Sequence, residues 1–371
     1  MTTGDFGTFV GNRDAFQPPP SDRRHYLTTL RGVEPGRRVE LGREPLVIGR
    51  GSTCSLVIAD PELSKRHCSV VLRSGGVVVA DLGSTNGTFV EGTRISGPTP
   101  LAVDAVLQVG GQLLRHEIRD AAEVQQEAEQ AADLRRARTY VQALLPAPRS
   151  THNFQLDYVH EPCATLGGDA LGCIDLPGGL VAFYVLDVCG HGAGAAMHSV
   201  AVMQHIRAAP MSNETRAQPA RILSALNDAF DMEAHDGMFL SIWYGVWDPS
   251  TRELRYASAG HPAPLHLAGG GLPPAPLKQA DPPIGVVPGA AFRQHATPME
   301  PGSVLVLFSD GAYEIRDRQG RDGTYQDLVR LVDAGQQTHP PTAAGLRSLV
   351  MATSASERLA DDLTLLVVTF P

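Results

Sequence analysis

A chain of 371 residues is too long for one ordinary domain and fits two or three. With 43% hydrophobic and 19% charged residues, it can bury real cores. The net charge of −9 is uneven: residues 150–371 hold 13 Lys and Arg against 23 Asp and Glu, whereas residues 25–118 hold 10 against 9. An acidic half lacks the basic patch that nucleic acid requires, which excludes nucleic acid as a partner and suits a cation binder.

The cysteines and the first residues indicate the compartment. The five cysteines are odd in number and scattered, with no CxxC spacing, which argues against a disulfide framework or a zinc site and for a reducing compartment. The start, MTTGDFGTFV, has neither the basic nor the apolar region of a signal peptide. The most apolar stretch, Leu180–Val188, is too short to span a bilayer. We therefore expect a cytoplasmic protein with no membrane contact.

Composition divides the chain into four segments. Residues 1–24 show no periodic pattern and contain the run Pro18–Pro20, as in a flexible leader. Residues 25–118 consist of short apolar runs divided by Gly, Ser, Asn and Pro, which predicts an all-β sandwich. Residues 119–145 are rich in Ala, Glu, Gln and Arg, and Pro146 and Pro148 stop the pattern. A helical linker over 119–148 is therefore predicted.

Residues 149–371 alternate strand and helix patterns. Leu180–Val188 is predicted to form a buried strand, and residues 193–209 and 219–234 are predicted to form helices. Met238–Trp247 and Glu253–Ala259 flank an Asp-Pro-Ser turn and predict a hairpin. Sheets with segregated helices predict an α+β layered domain.

Three polar clusters in the second segment fall at strand ends or in turns: Gly49-Arg50, Ser64-Lys65-Arg66-His67, and Ser84-Thr85-Asn86-Gly87-Thr88. Together they offer the cationic, hydroxyl and amide donors that a dianionic phosphate needs. Taken singly, each cluster is as typical of an ordinary turn.

In their order and spacing, GR, SxxH and STNGT resemble the forkhead-associated (FHA) domain, a phosphothreonine-peptide reader on a β-sandwich. The resemblance implies that Gly49 and His67 are architectural. It also implies contacts to a phosphothreonine-containing partner protein from Arg50, Ser64, Lys65, Thr85 and Asn86. The family often has Arg at the position of Lys65; Lys keeps the charge but loses the planar guanidinium fork.

Four aspartates stand beside glycines or at the ends of apolar runs: Asp169, Asp187, Asp310 and Asp361. Carboxylates gathered at strand ends repel one another unless they are protonated or neutralised by cations. Oxygen ligands of this kind favour magnesium or manganese over zinc. Two such ions activate a water molecule and clamp a phosphoryl group, so no nucleophilic side chain is required. The alternative is that each aspartate is an N-cap or turn former.

The series GGD, DVCGHG, SAGHPAPL, PPIGV, LFSDG and DDLT resembles the PPM family of metal-dependent Ser/Thr phosphatases, nearest its SpoIIE/RsbU-like branch. The resemblance implies an α-β-β-α sandwich and a site with two Mn²⁺ or Mg²⁺ ions. Asp187 and Asp310 would act through the activated water. Asp362 and His191 would position the metal ligands without binding the metal themselves. The implied metal ligands are Asp169, Asp187, the carbonyl of Val188, Asp310 and Asp361.

Two functions follow from these resemblances. The first is hydrolysis of phosphoserine or phosphothreonine on a protein; the branch implies an anti-anti-sigma (STAS) protein in a partner-switching circuit that regulates a sigma factor. The second is an inactive scaffold that binds phosphoproteins through the FHA domain. A small phosphoester is a weaker third substrate, since no GxxxxGK[ST] loop occurs. One departure concerns Gly172, where many branch members carry a further Asp.

The linker helix suggests a weak homodimer. An apolar stripe with charged flanks is formed by Val124, Ala128, Ala131, Leu134, Val141 and Leu145. The stripe is short and Ala-rich, so a stable free-standing coiled coil is not expected. Packing of this helix on the catalytic domain is the alternative. In the resembled branch the helix before the catalytic core is regulatory.

Overall fold

The computed structural model describes residues 22–208, 211–233, 235, 237–336, 341–356 and 358–371. The chain divides into two compact units, one ending at Ala131 and the other beginning at Ala132. The predicted leader lies outside the described residues except for its last three, of which Arg23 and Arg24 belong to the first strand.

The described part of the first unit is built from strands: β1 (Arg23–Arg31), β2 (Arg38–Leu41), β3 (Leu46–Gly49), β4 (Leu56–Val57), β5 (Cys68–Arg73), β6 (Gly76–Asp81), β7 (Thr88–Val90), β8 (Thr93–Arg94), β9 (Thr99–Leu101), β10 (Val106–Val109) and β11 (Gln112–Asp120). They form two sheets, β2-β1-β11-β10-β7-β8 and β4-β3-β5-β6-β9. The predicted all-β sandwich is confirmed.

The hairpin β5–β6 shows why this segment folds as it does. Val70 and Val79 face each other across the hairpin and are fully buried in the core of the sandwich. β-Branched side chains pack well on a pleated sheet. Gly76, with φ of 119°, allows the tight reversal that joins the two strands.

The predicted helix is present as α1 (Ala121–Leu144), and none of its residues is buried. Arg119 and Arg38 both pair with Glu127. Near the C-terminal end, the carbonyl of Leu144 accepts a hydrogen bond from Arg207 at 2.7 Å. The proposed stripe residue Leu134 is exposed.

The second unit contains the strands β12 (Arg149–Ser150), β13 (Gln155–Glu161), β14 (Ala170–Asp175), β15 (Val181–Val188), β16 (Leu240–Asp248), β17 (Glu253–Ala259), β18 (Leu265–Leu267), β19 (Ala275–Pro276), β20 (His295–Pro298), β21 (Val304–Phe308) and β22 (Leu363–Thr369). Its helices are α2 (Ala193–Arg207), α3 (Asn213–Arg216), α4 (Pro219–Ala229), α5 (Tyr325–Gln336) and α6 (Ala343–Thr353). The sheets are ordered β12-β13-β22-β21-β18-β19 and β14-β15-β16-β17-β20.

These elements form four layers, and an apolar core lies between each layer and the next. One core lies between the β14–β17 sheet and helices α2 and α4, one between the two sheets, and one between the β22–β21 sheet and helices α5 and α6. The predicted α-β-β-α sandwich is therefore confirmed. Among the described residues, no helix has the length and apolar character needed to cross a membrane.

The helix expected over 219–234 is shorter than the sequence pattern suggested and ends at Ala229. Phe230 leaves helical geometry, with φ of −123° and ψ of 71°. The amide of Gly237 bonds to the carbonyl of Met232 at 2.9 Å, outside the helix, and position 234, the last of the predicted helix, lies outside the described residues. Helical composition alone did not reveal that the chain turns here towards β16.

Strand β15 shows how both faces of a sheet can be buried. Phe183 and Val185 enter the core between the sheets, whereas Tyr184 and Leu186 enter the core beneath the helices. Side chains on a strand alternate between its faces, so Asp187 shares the face that looks towards the other sheet.

The departure at Gly172 has a packing cause. Gly172 lies opposite Tyr184 in the β14–β15 pair, and a Cβ at this position would lie 2.0 Å from the tyrosine ring. That ring stacks on Tyr244 with 6.1 Å between ring centroids. An aromatic pair therefore occupies the space, and a carboxylate side chain at position 172 would clash.

Candidate metal centre and phosphopeptide site

Two aspartates face each other across neighbouring strands. Asp169 directly precedes β14, and Asp187 is the penultimate residue of β15. The register pairs Ala170 with Leu186, so continuing it by one residue places Asp169 opposite Asp187. Asp169 is buried, and its Oδ2 has no hydrogen-bond partner. A buried carboxylate oxygen without a partner is costly, and a bound cation would relieve that cost.

The other two aspartates come from the facing sheet. Asp310 follows β21 in a 3₁₀ turn, and Asp361 precedes β22. Ser309 joins the two ends, because its hydroxyl donates to the carbonyl of Asp362 at 3.1 Å and accepts the amide of Thr364 at 3.0 Å. The segments approach so closely that a Cβ at Gly311 would lie 2.2 Å from a carbonyl oxygen, which only glycine permits.

The charges of the four aspartates act on one another in pairs, which places them in one neighbourhood. Within the described part of the chain, the group of three or more possible ligand atoms that lie within 4.8 Å of one another is that of Cys163, Asp361 and Asp362. Burial, followed by the charges of Asp310 and Asp361, raises the pKa of Asp187 to about 7. Burial and the charges of Asp361 and Glu314 raise the pKa of Asp310 to about 6. Burial and the charge of Asp187 raise the pKa of Asp169 well above its usual range. The structure thus brings together all four predicted aspartates, with Glu314 as an acidic neighbour that the sequence analysis missed.

Asp362 is turned towards the backbone. Its Oδ1 accepts the amide of Cys163 at 2.8 Å and its Oδ2 accepts the amide of Asp169 at 3.4 Å. A Cβ at Gly167 would lie 2.0 Å from Oδ2, so the GGD turn wraps around this side chain. Such an acceptor helps to fix the position of Asp169.

Cys163 is a neighbour that sequence spacing could not reveal. One ligand atom from each of Cys163, Asp361 and Asp362 lies within 4.8 Å of the others. Burial and a hydrogen bond with Asp362 raise the pKa of the Cys163 thiol to about 11, so it stays protonated at neutral pH. Cys163 and Asp361 are far apart in sequence, so no motif could join them.

The loop after Asp187 is shaped by glycines. Gly190 and Gly192 both have φ of 88°, a region that other residues rarely adopt. A Cβ at Gly168 would lie 2.5 Å from the Val188 carbonyl oxygen, so the GGD turn packs directly against that oxygen. His191 is exposed and has no hydrogen-bond or ring partner among the described residues.

The donor set fits a hard divalent cation. Four carboxylates and one backbone carbonyl would offer oxygen ligands, and one buried carboxylate oxygen has no hydrogen-bond partner. Mg²⁺ and Mn²⁺ prefer such oxygens.

In the first unit, three loops meet at one end of the sandwich. The amide of Arg50 bonds to the carbonyl of Ser64 at 3.1 Å, and the amide of Thr85 bonds to Ser64 Oγ at 3.0 Å. The Asn86 amide group donates to the Glu62 carbonyl at 2.8 Å. The structure thus brings the five predicted peptide-contacting residues together, including Lys65 beside Ser64.

His67 and Gly49 hold these loops in place. Fully buried His67 accepts the Ser64 amide through Nδ1 at 3.2 Å and donates from Nε2 to the Gly87 carbonyl at 3.0 Å. A Cβ at Gly49 would lie 2.5 Å from the Lys65 carbonyl oxygen. The Arg50 and Lys65 side chains are exposed and form no ion pair within the described part of the chain.

The raised pKa of Asp187 makes the stability of the folded, metal-free protein depend on pH. The folded, metal-free protein binds this proton more tightly than the unfolded chain, whose Asp has an ordinary pKa near 4. The stability of the folded state therefore falls as pH rises from about 4 through about 7. We expect Asp187→Asn to stabilise the chelator-treated protein at pH 8, on the order of a few kcal/mol, and less at pH 5.

Thermal unfolding between pH 5 and pH 8, with the exposed Asp228→Asn as control, measures this difference. Titrating groups outside the cluster contribute equally to both proteins, so wild type minus variant reports the pH-dependent repulsion that involves Asp187. A difference that does not change with pH would contradict the proposed repulsion.

Comparison with known proteins agrees with this geometry. The family profile described as Stage II sporulation protein E (SpoIIE) matches residues 177–371, just over half of the chain, and that of the FHA domain matches residues 46–110. The chain is 32% identical over 107 residues to FHA domain-containing protein FhaB of Mycobacterium tuberculosis, covering 28% of this chain and 64% of FhaB.

A second relative matches the other half. Phosphoserine phosphatase RsbU of Bacillus subtilis is 26% identical over 136 residues, covering 37% of this chain and 40% of RsbU. The chain thus spans less than two thirds of either relative. The solved SiaA-PP2C domain of Pseudomonas aeruginosa superposes with a TM-score of 0.57 at 20% identity, over 66% of this chain and 98% of that domain, and so shares the fold. The chain belongs to the SpoIIE family, with a PPM-type phosphatase domain preceded by an FHA domain.

Proposed function

We propose that this protein hydrolyses phosphoserine or phosphothreonine on another protein, using divalent cations held by its aspartate cluster. The observation that carries the proposal is the facing pair Asp169 and Asp187, with Asp310 and Asp361 from the other sheet. Asp169 is buried, Asp187 and Asp310 are partly buried and Asp361 is exposed, and no cationic side chain of the described residues forms an ion pair with any of the four. Metal dependence is a general property of PPM phosphatases.

Two Mn²⁺ or Mg²⁺ ions fit the proposal. Asp187 would be one of the residues that hold them, because it lies on the face between the sheets, within electrostatic reach of Asp310 and Asp361. Asp169, the carbonyl of Val188, Asp310 and Asp361 would complete the ligands. Cations held there supply Lewis-acid activation of water and neutralise phosphoryl charge. The reaction then needs no nucleophile from the protein.

The remaining residues fix these ligands. Asp362 holds the amide of Asp169, and Ser309 ties the Asp310 turn to β22, so both carboxylates are positioned before substrate arrives. The two sheets are rigid supports for ligands that must keep their geometry. His191 lies on the exposed loop after Asp187 and would act only through that loop.

An anti-anti-sigma (STAS) phosphoprotein is the substrate that we propose. The support is the likeness to the phosphoserine phosphatase RsbU together with the SpoIIE profile match. We further propose that the FHA domain binds a phosphothreonine-containing protein and so recruits or regulates the phosphatase. The support is the set of exposed donors on the three joined loops, chiefly Arg50 and Lys65.

Phosphatase activity should require the cluster and a divalent cation. Asp310→Asn should lower turnover of an aryl phosphate by several orders of magnitude, because a cation ligand is lost. Asp362→Ala should weaken metal affinity by roughly 10–100-fold, since it only positions Asp169. Steady-state kinetics across a manganese titration measures both effects.

The matched control for these variants is Asp228→Asn, on the exposed side of α4. It should retain wild-type kinetics. Full turnover by Asp310→Asn, or by the wild type in excess chelator, would refute the mechanism. Inactivity of the wild type with every metal would favour the inactive scaffold.

Phosphothreonine binding should depend on Arg50. Arg50→Ala should abolish binding of phosphothreonine peptides to the full chain, because a charge-assisted bond from its guanidinium to the phosphate is lost. Fluorescence polarisation against a phosphothreonine peptide library is the measurement. Arg73→Ala, an exposed arginine at the end of β5, is the control and should bind normally. Equal binding by Arg50→Ala would show that the site is elsewhere.

A weak homodimer through α1 remains part of this proposal. Its support is the apolar side chain of Leu134, which is 38% exposed on a helix without buried residues. Light scattering should show a mass that rises with concentration, and Leu134→Glu should abolish the rise while Gln130→Glu on the same helix should not. A monomeric wild type at every concentration, with and without phosphopeptide, would end the idea.

A further inference from the structure

The chain after Asp310 forms one wall of a cleft that has no role in the cluster. The cleft has a volume of about 400 Å³. It lies between the 3₁₀ turn, the segment 315–323, helix α5 and the end of α6, with Ala312 and Tyr313 in its wall. The amides of Tyr313 and Glu314 both bond to the Asp310 carbonyl, at 2.9 and 2.8 Å, so this wall is continuous with the cation-binding turn.

The distance suits a substrate that also reaches the cluster. Tyr313 is three residues from Asp310, so their Cα atoms are at most about 11 Å apart, given 3.8 Å per step. An extended peptide covers that distance in three to four residues. Residues flanking a phosphorylated side chain at the cluster would therefore reach the cleft.

Arginines set the charge of the cleft. Arg321 and Arg330 pair with Asp317 and Asp327, at 3.1 and 2.5 Å, yet their side chains stay 72% and 71% exposed. Exposed pairs of this kind are weak, so their guanidinium groups remain open to another anion. Arg318 is exposed and has neither an ion pair nor a side-chain hydrogen bond within the described ranges.

The charge balance of this segment differs from that of the rest of the domain. Residues 316–358 carry six basic residues against five acidic ones, whereas the rest of residues 150–371 carry seven against 18. Acidic ligands would therefore be repelled less at the cleft than by the rest of the domain. The position of the arginines beside the cluster is therefore a candidate source of substrate selectivity.

The segment that carries Arg318 is held in one shape. The Asp317 amide bonds to the Arg321 carbonyl at 2.9 Å, and the Gly323 amide bonds to the Ile315 carbonyl at 2.9 Å. The Ala355 amide, beyond α6, bonds to the Arg316 carbonyl at 3.0 Å. A ligand would meet a preorganised surface, which lowers the entropy cost of binding.

Arg318 also borders a second cleft of about 710 Å³, which shares Ala352 with the first and adds Arg347 and three serines. The two clefts adjoin at Arg318 and Ala352, and together they are called the arginine-lined track.

We propose that this arginine-lined track binds acidic side chains that flank the phosphorylated residue of the protein substrate. The proposal rests on the proposed phosphatase function and adds the sequence preference of its substrate. Planar guanidinium groups bind carboxylates through paired, charge-assisted hydrogen bonds, which favours Asp and Glu over their amides.

The test uses the full chain in an Arg50→Ala background, so that the FHA site does not contribute. Two phosphoserine peptides are compared, one with Asp at the third and fourth positions on both sides of the phosphoserine and one with Asn at the same positions. We expect kcat/KM with manganese to favour the Asp peptide about 10-fold, which is about 1.4 kcal/mol, chiefly through KM. Arg318→Glu should abolish this preference, whereas Arg221→Glu, at an exposed arginine on α4, should keep it.

A separate binding experiment distinguishes a failure of this proposal from a failure of the proposed phosphatase function. Fluorescence anisotropy of the unphosphorylated Asp and Asn peptides, in chelator, measures their binding to the track in the absence of turnover. Preference for the Asp peptide that is lost in Arg318→Glu supports the track even if no peptide is hydrolysed, and absent hydrolysis would then refute only the phosphatase function. No preference in the wild type, or an equal preference in Arg318→Glu, would overturn the track whatever the activity.

Discussion

The pairing of β14 with β15 is the constraint on which the site depends. Its register sets Asp169 opposite Asp187, and strand alternation turns both towards the facing sheet. Burial and repulsion then raise the pKa values of these carboxylates, so the metal-free fold carries a cost near neutral pH. A divalent cation removes that cost. In the proposed function, the same geometry that sets these carboxylates against one another would give the domain its affinity for metal.

The rest of the domain holds this strand pair and the facing sheet in fixed positions. The core between the sheets keeps the facing strands at a fixed separation, so Asp310 and Asp361 stay within electrostatic reach of Asp187. Close contacts at Gly168 and Gly311 let backbone segments approach where a side chain would force them apart. The first unit uses the same device, since Gly49 and buried His67 join three loops and leave the Arg50 and Lys65 side chains free for a ligand.

The sequence predicted the two folds, and it singled out four aspartates that the structure places at the ends of strands, because each motif sits where a strand ends. It could not show that Asp362 faces two backbone amides, that Tyr184 fills the space beside Gly172, or that Cys163 lies beside Asp361. These contacts join residues distant along the chain or depend on packing across a strand pair. The arginine track was missed for a similar reason, since the 315–323 segment and two helices supply its residues.

Anomalous diffraction from crystals grown with manganese tests the central claim most directly. The account predicts manganese peaks between the two sheets, in contact with the Asp187 carboxylate and bordered by Asp169, Asp310 and Asp361. Asp362 should keep its backbone hydrogen bonds and stay outside the coordination sphere. Manganese bound only at other surface carboxylates, or an Asp187 side chain without a peak beside it, would contradict the account.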